Sequence, residues 1–484
     1  MNEIVYKSKN NFTIQWLLSK STAIMYCFHF LLFYFISFSA YSQNQHSTFS
    51  GIILHSSDET PVDDVNIYFE NTAIGTISNE NGKFVLYYNS NKSYDYLIIS
   101  KIGYATLRLK FSELQQNSPI YLSRESISLD EVVITQNKVT KTAGEIVEIA
   151  FQNLSKNISP SAYLSTGYIR HTERTKNEYR YLKEAIFTLY DPGFDARPNE
   201  INLNLNYSRN AIDNREIDTV RFYTTYLEAS NQKSFKKNYN KALNYQKEQP
   251  SDLKKAIAFY DNHYTSGYHK EYGLLKKLFA TDINKIRYYG RKKATFSKKN
   301  LDDFSFKIDT VLWSENDLTY KIKFSKRVAK DEMDIGYLFI NKEDYAIVEV
   351  QYSQVLSKNH YYRKFSGEKI RSTSVIKYRK IDDYYYPIYM SYKKAKFNNK
   401  LLKSIREKNQ KQLNYYSHQE ILLSDIVTDN SIVEETQNKK NIWNDNLFQN
   451  GNYDDWVGKN FLLESSYEAK LREDLKAESL KKQM

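Results

Sequence analysis

Apolar and polar side chains alternate with period two in two separate stretches of the chain, and a helical period lies between them. In the first stretch, Thr48 to His55 reads as a strand and Asp58 to Pro61 as the turn after it. Val65, Ile67 and Phe69 then put three large side chains on one face, as a pleated strand requires. Asn79-Glu80-Asn81-Gly82 reverses the chain, with Gly82 free to take positive φ, and Phe84 and Leu86 share a face beyond it. Tyr96, Ile98 and Ser100 alternate with Leu97, Ile99 and Lys101 in a strand that stops at Gly103. Short strands this closely spaced predict a seven-stranded antiparallel β-sandwich over residues 47–123.

After a linker at 124–142, the stripe Ala143, Ile146, Val147, Ala150, Phe151 and Leu154 has the spacing of an amphipathic helix, closed by Pro160. Leu164 to Glu173 and Tyr179 to Tyr190 read as a hairpin that ends at Pro192-Gly193. Residues 195–300 are polar and read as short helices and loops, with Lys254 to Tyr260 and Tyr272 to Phe279 the best helical segments. From Asp303 the period is two again. Phe304, Phe306 and Ile308 are separated from Leu318, Tyr320, Ile322 and Phe324 by the turn Ser314 to Asp317. Gly336 to Ile340 and Tyr345 to Tyr352 flank the turn Asn341 to Asp344, and further strands are expected at Arg371 to Arg379, Tyr386 to Ala395 and Gln412 to Leu422. The pattern predicts a mainly β chain with α. Its sandwich is followed by an α+β domain: helix, hairpin and polar helical segment at 143–300, then a large curved antiparallel sheet or half-barrel at 301–425. Residues 426–484 read as an aromatic loop, with Trp443, Phe448, Trp456 and Phe461, and a charged helix from Tyr467 to Lys482.

The one long apolar run, Ile24 to Ala40, follows Lys7, Lys9 and Lys20 and leads into Ala40-Tyr41-Ser42. That is the layout of a signal peptide covering residues 1–42, with cleavage before Gln43. An uncleaved anchor is the alternative, weakened by His29 and by a run shorter than about 18 residues. Met25 is an alternative start. Tyr26 ahead of Cys27 excludes a lipoprotein signal there, because a small residue is needed. Export implies the periplasm or outer membrane of a Gram-negative-type envelope.

Composition refines this reading. The 484 residues call for two or three domains, and 41% apolar with 26% charged residues excludes a polytopic membrane protein. The net charge of +12 comes from basic residues dispersed among acidic ones, without an arginine-rich block, so nucleic acid is not expected as a partner. Peripheral attraction to an anionic membrane surface stays open. Cys27, the only cysteine, lies in the segment expected to be removed, so neither a disulfide nor a cysteine metal site is expected.

Four motifs carry a resemblance. Pro61-Val62-Asp63-Asp64-Val65-Asn66-Ile67, Gly75 to Leu86, Ile99-Ser100-Lys101-Ile102-Gly103-Tyr104 and Leu129-Asp130-Glu131-Val132-Val133-Ile134-Thr135 follow one another in the chain. In this order they resemble the carboxypeptidase-regulatory-like domains, a transthyretin-like β-sandwich family, over residues 47–135. Asp64 departs from the glycine usual in that family. Similar domains precede the plug of TonB-dependent outer-membrane transporters. The residues after Thr135, however, are too few for a plug and a barrel of about 22 strands. Gly336 to Asn341 and Tyr345 to Val348 resemble, more weakly, the half-barrels of periplasmic lipoprotein carriers.

Catalytic chemistry finds no motif. No His has Glu three residues on, His418-Gln419-Glu420 and His269-Lys270-Glu271 have the wrong ligand spacing, and His263 and His269 form no helical pair. Neither G-x-S-x-G nor a phosphate-binding glycine loop occurs. Asp382-Asp383 before Tyr384 to Tyr386 reads as a turn, since neighbouring strand carboxylates point apart, and Asp130 and Glu131 read as linker charges. The expectation is therefore a non-enzymatic envelope protein without cofactor that binds a protein or glycan. The alternatives are a carrier or sensor of an apolar ligand in the half-barrel and a hydrolase with the sandwich as accessory domain. Tyr337, Leu338, Phe339 and Ile340 put large apolar groups on both faces of one strand and form the candidate groove. The signal reading predicts that protein recovered from envelope fractions begins at Gln43. N-terminal sequencing that returned residues before Ile24 would rule cleavage out.

Overall fold

The computed structural model describes residues 46–125, 141–174, 178–195, 200–210, 296–314, 317–360, 363, 368–398, 414–437 and 458–483. The signal segment, the Leu129 to Thr135 motif and the helical segments at 254–260 and 272–279 lie outside them. So do His263, His269, Trp443, Phe448 and Trp456. The chain divides into Met1–Ser47 with Asn89–Lys92, and Thr48–Tyr88 with Ser93–Met484. In the first unit, the Lys92 N–H donates to the Asn89 carbonyl to close a turn. The fold and the site lie in the second.

Seven strands form the sandwich: β1 (His46–His55), β2 (Asn66–Phe69), β3 (Gly75–Ile77), β4 (Lys83–Asn89), β5 (Tyr96–Ser100), β6 (Leu107–Lys110) and β7 (Pro119–Leu122). One sheet has the order β4-β1-β7 and the other β3-β2-β5-β6. The expectation of an all-antiparallel sandwich needs one correction, because β7 returns alongside β1 in parallel, Ile52 opposite Pro119 and His55 opposite Leu122. The alternation works as the pleat demands. Val65, Ile67, Phe69, Phe84, Leu86, Leu97 and Ile99 are sealed between the sheets, each contributing about 1.5–3 kcal/mol of burial. Gly82 turns at φ +72 with its Cα under the Ile53 carbonyl, where a Cβ would clash.

The second layer is built by α1 (Ala143–Gln152), α2 (Leu154–Asn157), β8 (Tyr163–Arg174), β9 (Tyr179–Asp191) and β10 (Asn202–Asn210). It continues through β11 (Ser305–Ser314), β12 (Asp317–Ala329), β13 (Glu332–Asn341), β14 (Ile347–Leu356), β15 (Ile370–Ile381), β16 (Tyr384–Asn398) and β17 (Asn414–Val427). Helices α3 (Asn430–Gln437) and α4 (Ser466–Gln483) follow. All ten strands join one antiparallel sheet, ordered β10-β9-β8-β17-β16-β15-β14-β13-β12-β11. It draws strands from both sides of residue 300. β10 corrects the reading of residues 195–300 as helices and loops alone. Its Leu203 and Leu205 are buried, while Asn202, Asn204 and Asn206 alternate with them.

Register explains the layering. Ile308, Ile322, Leu338, Val350, Ile376, Met390, Ile421, Ile169 and Ala185 stand opposite one another from β11 to β9. This row forms one apolar face, and the buried stripe of α1 packs on it. A reciprocal capping box starts α1: the Glu145 N–H donates to Thr142 Oγ1, and the Thr142 N–H donates to Glu145 Oε2 at 2.6 Å. One residue out of phase runs a different row: Lys321, Phe339, Glu349, Lys377, Tyr389, Leu422, Tyr168 and Ile186.

That second face is covered by the sandwich and the C-terminal segment. Ile77 packs with Tyr168, Ile186, Tyr389, Leu422 and Leu462, and Ala73 with Tyr163, Ile381 and Tyr386. Asn460 extends the edge of β4 by exchanging hydrogen bonds with the Tyr87 N–H (2.9 Å) and carbonyl (3.1 Å). Arg170 is buried among Glu184, Glu468 and the Leu462 carbonyl, which it reaches as a donor. Leu471 and Leu475 of α4 close over Tyr179 and Leu182.

Two strand glycines sit under aromatic rings from the neighbouring strand, Gly167 opposite Phe187 and Gly336 opposite Phe324. A ring over a glycine fills the gap left by the missing side chain. At Gly336 a Cβ would stand 1.9 Å from the Gln351 carbonyl oxygen, which the ladder holds in place. Gly336→Ala is therefore expected to lose at least about 2 kcal/mol in urea unfolding. An unchanged midpoint would contradict this packing.

Candidate ligand-binding cleft

Because Val65, Ile67 and Phe69 point into the sandwich, Asn66 and Tyr68 must point out of it. Ile98 and Ser100 do the same from β5. On β15, Ile376 and Tyr378 belong to the apolar cluster beneath α1, so Lys377 and Arg379 project from the opposite face. The two outward faces enclose a cleft of about 430 Å³. The sandwich side is Asn66, Tyr68, Glu70, Ile98, Ser100 and Arg108; the sheet side includes Asn341, Asp344, Glu349, Lys377, Arg379 and Tyr385.

Two cations of β15 face this space with different partners. Lys377 Nζ lies 2.7 Å from Asp64 Oδ1 and donates to the Asp64 carbonyl at 2.9 Å. Burial works against its charge, but Asp64 and Glu349 outweigh burial and hold its pKa above the ordinary lysine value. Glu349, opposite Lys377 in register, is pushed up by burial and accepts from Gln351 Nε2 at 2.6 Å. Asp64 takes a left-handed φ of 55, so the residue that departs from the family's glycine keeps the glycine conformation and adds a carboxylate. Arg379 stacks its guanidinium 3.9 Å above the Tyr68 ring. Glycine at residue 75 leaves it room, since a Cβ there would meet both terminal nitrogens at 2.8 Å. Burial lowers the Arg379 pKa to about 10, and its Nε and Nη1 have no hydrogen-bond partner.

The residues named from the sequence are distributed otherwise. Leu338 and Ile340 lie in the apolar cluster under α1, while Phe339 is buried on the opposite face between Lys321 and Glu349. Tyr337 is half-buried with Lys321 Nζ 4.5 Å over its ring. The four are thus divided between two faces. Asp382 and Asp383 form the exposed turn from β15 to β16, Asp382 at φ 54. The Tyr385 hydroxyl donates to Asp344 Oδ2 at 3.0 Å. Among the described residues no cluster of His, Cys, Asp and Glu is arranged to hold a metal ion.

Sequence reasoning missed Arg379, Tyr68 and Gly75. Polar residues alternating with Ile376 and Tyr378 read as a solvated strand face, and only the docked sandwich makes them interior. A second polar group also comes together only in three dimensions. His418 Nε2 lies 2.9 Å from Ser391 Oγ, His418 Nδ1 is 3.7 Å from Glu420 Oε2, and Glu420 accepts from the Tyr389 hydroxyl at 3.0 Å. These are the residue types of a hydrolytic triad. All three sit within strands flanked on both sides.

Residues 49–134 match the CarboxypepD_reg-like domain family, so the sandwich carries the domain its motifs resemble. No curated protein matches the chain. Several solved structures align with its C-terminal half. A LolA superfamily protein from Nitrosomonas europaea is 8% identical, with 59% of this chain and 93% of that one covered at a TM-score of 0.19. A DUF1329 family protein from Desulfovibrio piger is 6% identical, covering 60% and 95% at 0.22. A putative outer membrane lipoprotein-sorting protein domain from Vibrio parahaemolyticus is 9% identical, covering 60% and 95% at 0.22. At these scores the likeness assigns no role to any residue of this chain.

Burial holds the His418 pKa below its ordinary 6.5, and nearby Lys393 and Arg174 act in the same direction against Glu420 and Glu468. The unfolded chain therefore takes up a proton near pH 6.5 that the folded chain refuses, and stability falls as pH drops below that point. Thermal unfolding between about pH 5 and 7 is expected to show a steeper loss in the native protein than in His418→Gln. Equal slopes would mean that His418 is not held neutral.

Proposed function

We propose that this chain, whose first described domain is CarboxypepD_reg-like, is an exported envelope protein that binds a protein or glycan and performs no chemistry of its own. The observation that carries the reading is the cleft between the sandwich and the ten-stranded sheet. It is concave, holds about 430 Å³, and lies within the range of small-ligand sites. Its walls come from two layers that the Lys377–Asp64 ion pair joins, which supports a shape set in advance of binding. Support for export is the Lys-flanked apolar run that ends in Ala40-Tyr41-Ser42.

Half-buried Ser100 stands in the wall of the cleft, and Ser100→Trp would fill the space. Native mass spectrometry of protein purified from its own envelope is expected to find a bound species on the wild type that the variant lacks. The variant should keep its melting temperature. The same species retained by both proteins would place binding elsewhere.

A further inference from the structure

Arginine and lysine side chains rarely leave water without a carboxylate beside them. Three are buried among the described residues: Arg170 at 3% exposure, Lys377 at 4% and Arg379 at 8%. Arg170 has Glu184 and Glu468, and Lys377 has Asp64. The same division holds within the cleft, which five cations line. Lys101 pairs with Asp63 at 3.0 Å, Arg108 with Glu70 at 2.6 Å, Lys377 with Asp64 at 2.7 Å and Lys380 with Asp344 at 3.4 Å. Arg379 alone has no carboxylate and leaves Nε and Nη1 unpartnered. One acceptor in the same cleft, Asn66 Oδ1, is also buried without a donor.

We infer that the cleft receives an acidic sugar, its carboxylate on the Arg379 guanidinium and a neighbouring hydroxyl donating to Asn66. The inference rests on the cleft being the binding site and names the ligand class. A guanidinium fork matches a planar carboxylate, whereas Asn66 Oδ1 needs a donor that a bare carboxylate or phosphate does not bring. Asn66 and Tyr68, which supports Arg379, share a face two residues apart, about 7 Å along the strand, the scale of one sugar ring. A folded protein partner would need a broad surface of about 800 Å², while this site is a cleft of about 430 Å³. Gly75 leaves the space in which the guanidinium lies, so its position is prepared before any ligand arrives.

Isothermal titration of the mature chain with trigalacturonate and with neutral maltotriose tests this. Trigalacturonate is expected to bind at least about tenfold more tightly, the factor a single charge-assisted hydrogen bond supplies. Arg379→Met should remove that preference while keeping the melting temperature, and Arg379→Lys, which keeps charge without the fork, should retain part of it. Equal binding of both sugars, blocked by Ser100→Trp, would overturn the acidic assignment and leave the cleft as a glycan site. Binding of neither sugar would overturn the inference. A peptide ending in a free carboxylate that bound instead, and needed Arg379, would replace sugar by peptide. Thermal stabilisation by inorganic phosphate equal to that by trigalacturonate would reduce the site to an adventitious ion only.

Discussion

The row Phe339, Glu349, Lys377, Tyr389, Leu422 and Tyr168 puts large and charged side chains on the face of the sheet that α1 does not cover. A ten-stranded sheet with apolar groups on both faces needs a second covering layer. The sandwich and the C-terminal segment supply it, and much else in the molecule follows from their docking. Buried charge pairs add little net stability but are strict about geometry. Lys377 pairs with Asp64 of the sandwich and Arg170 with Glu468 of the C-terminal segment, so each docked layer brings a carboxylate to a buried cation of the sheet.

Within the sandwich, the turn at Asp64 is adapted to this docking. Glycine is the usual answer to a left-handed φ because it has no Cβ. Asp accepts the same conformation at modest cost, and its carboxylate then crosses to the sheet. Gly75 solves the opposite problem. A Cβ there would crowd both the Arg379 guanidinium and Tyr68 Cβ, so the glycine leaves room for a residue about three hundred positions away in sequence. The cleft is the space left where these contacts hold two curved surfaces together without closing them.

The polar groups beneath the docked layer follow one electrostatic logic. Burial disfavours each charge, and where a partner is present, as at Lys377, the partner outweighs it. Where only an aromatic ring is present, as at Arg379, burial prevails and the charged form is weakened. His418, in contact with Ser391 and Glu420, is likewise pushed toward its neutral form. The two faces of the sheet thus differ: one is an apolar core, while the other sets charges among apolar clusters in low dielectric, where partners decide their state.

Local pattern by itself determined the strands, turns and helix α1, because period-two and period-3.6 spacing depend only on neighbouring residues. It also determined the sandwich domain, whose three described motifs are local turns and strands. The strand at Asn202–Asn210 was legible in the alternation of Leu203 and Leu205 with asparagines, but the polarity of the surrounding segment masked it. Tertiary structure alone decided that β8 pairs with β17, placing Ile169 opposite Ile421, since no local signal encodes a partner so distant. It also decided the site. Lys377 and Arg379 occupy positions that, read along their strand, face water; the docked sandwich turns that face into an interior, and burial converts an ordinary surface arginine into an unmatched charge.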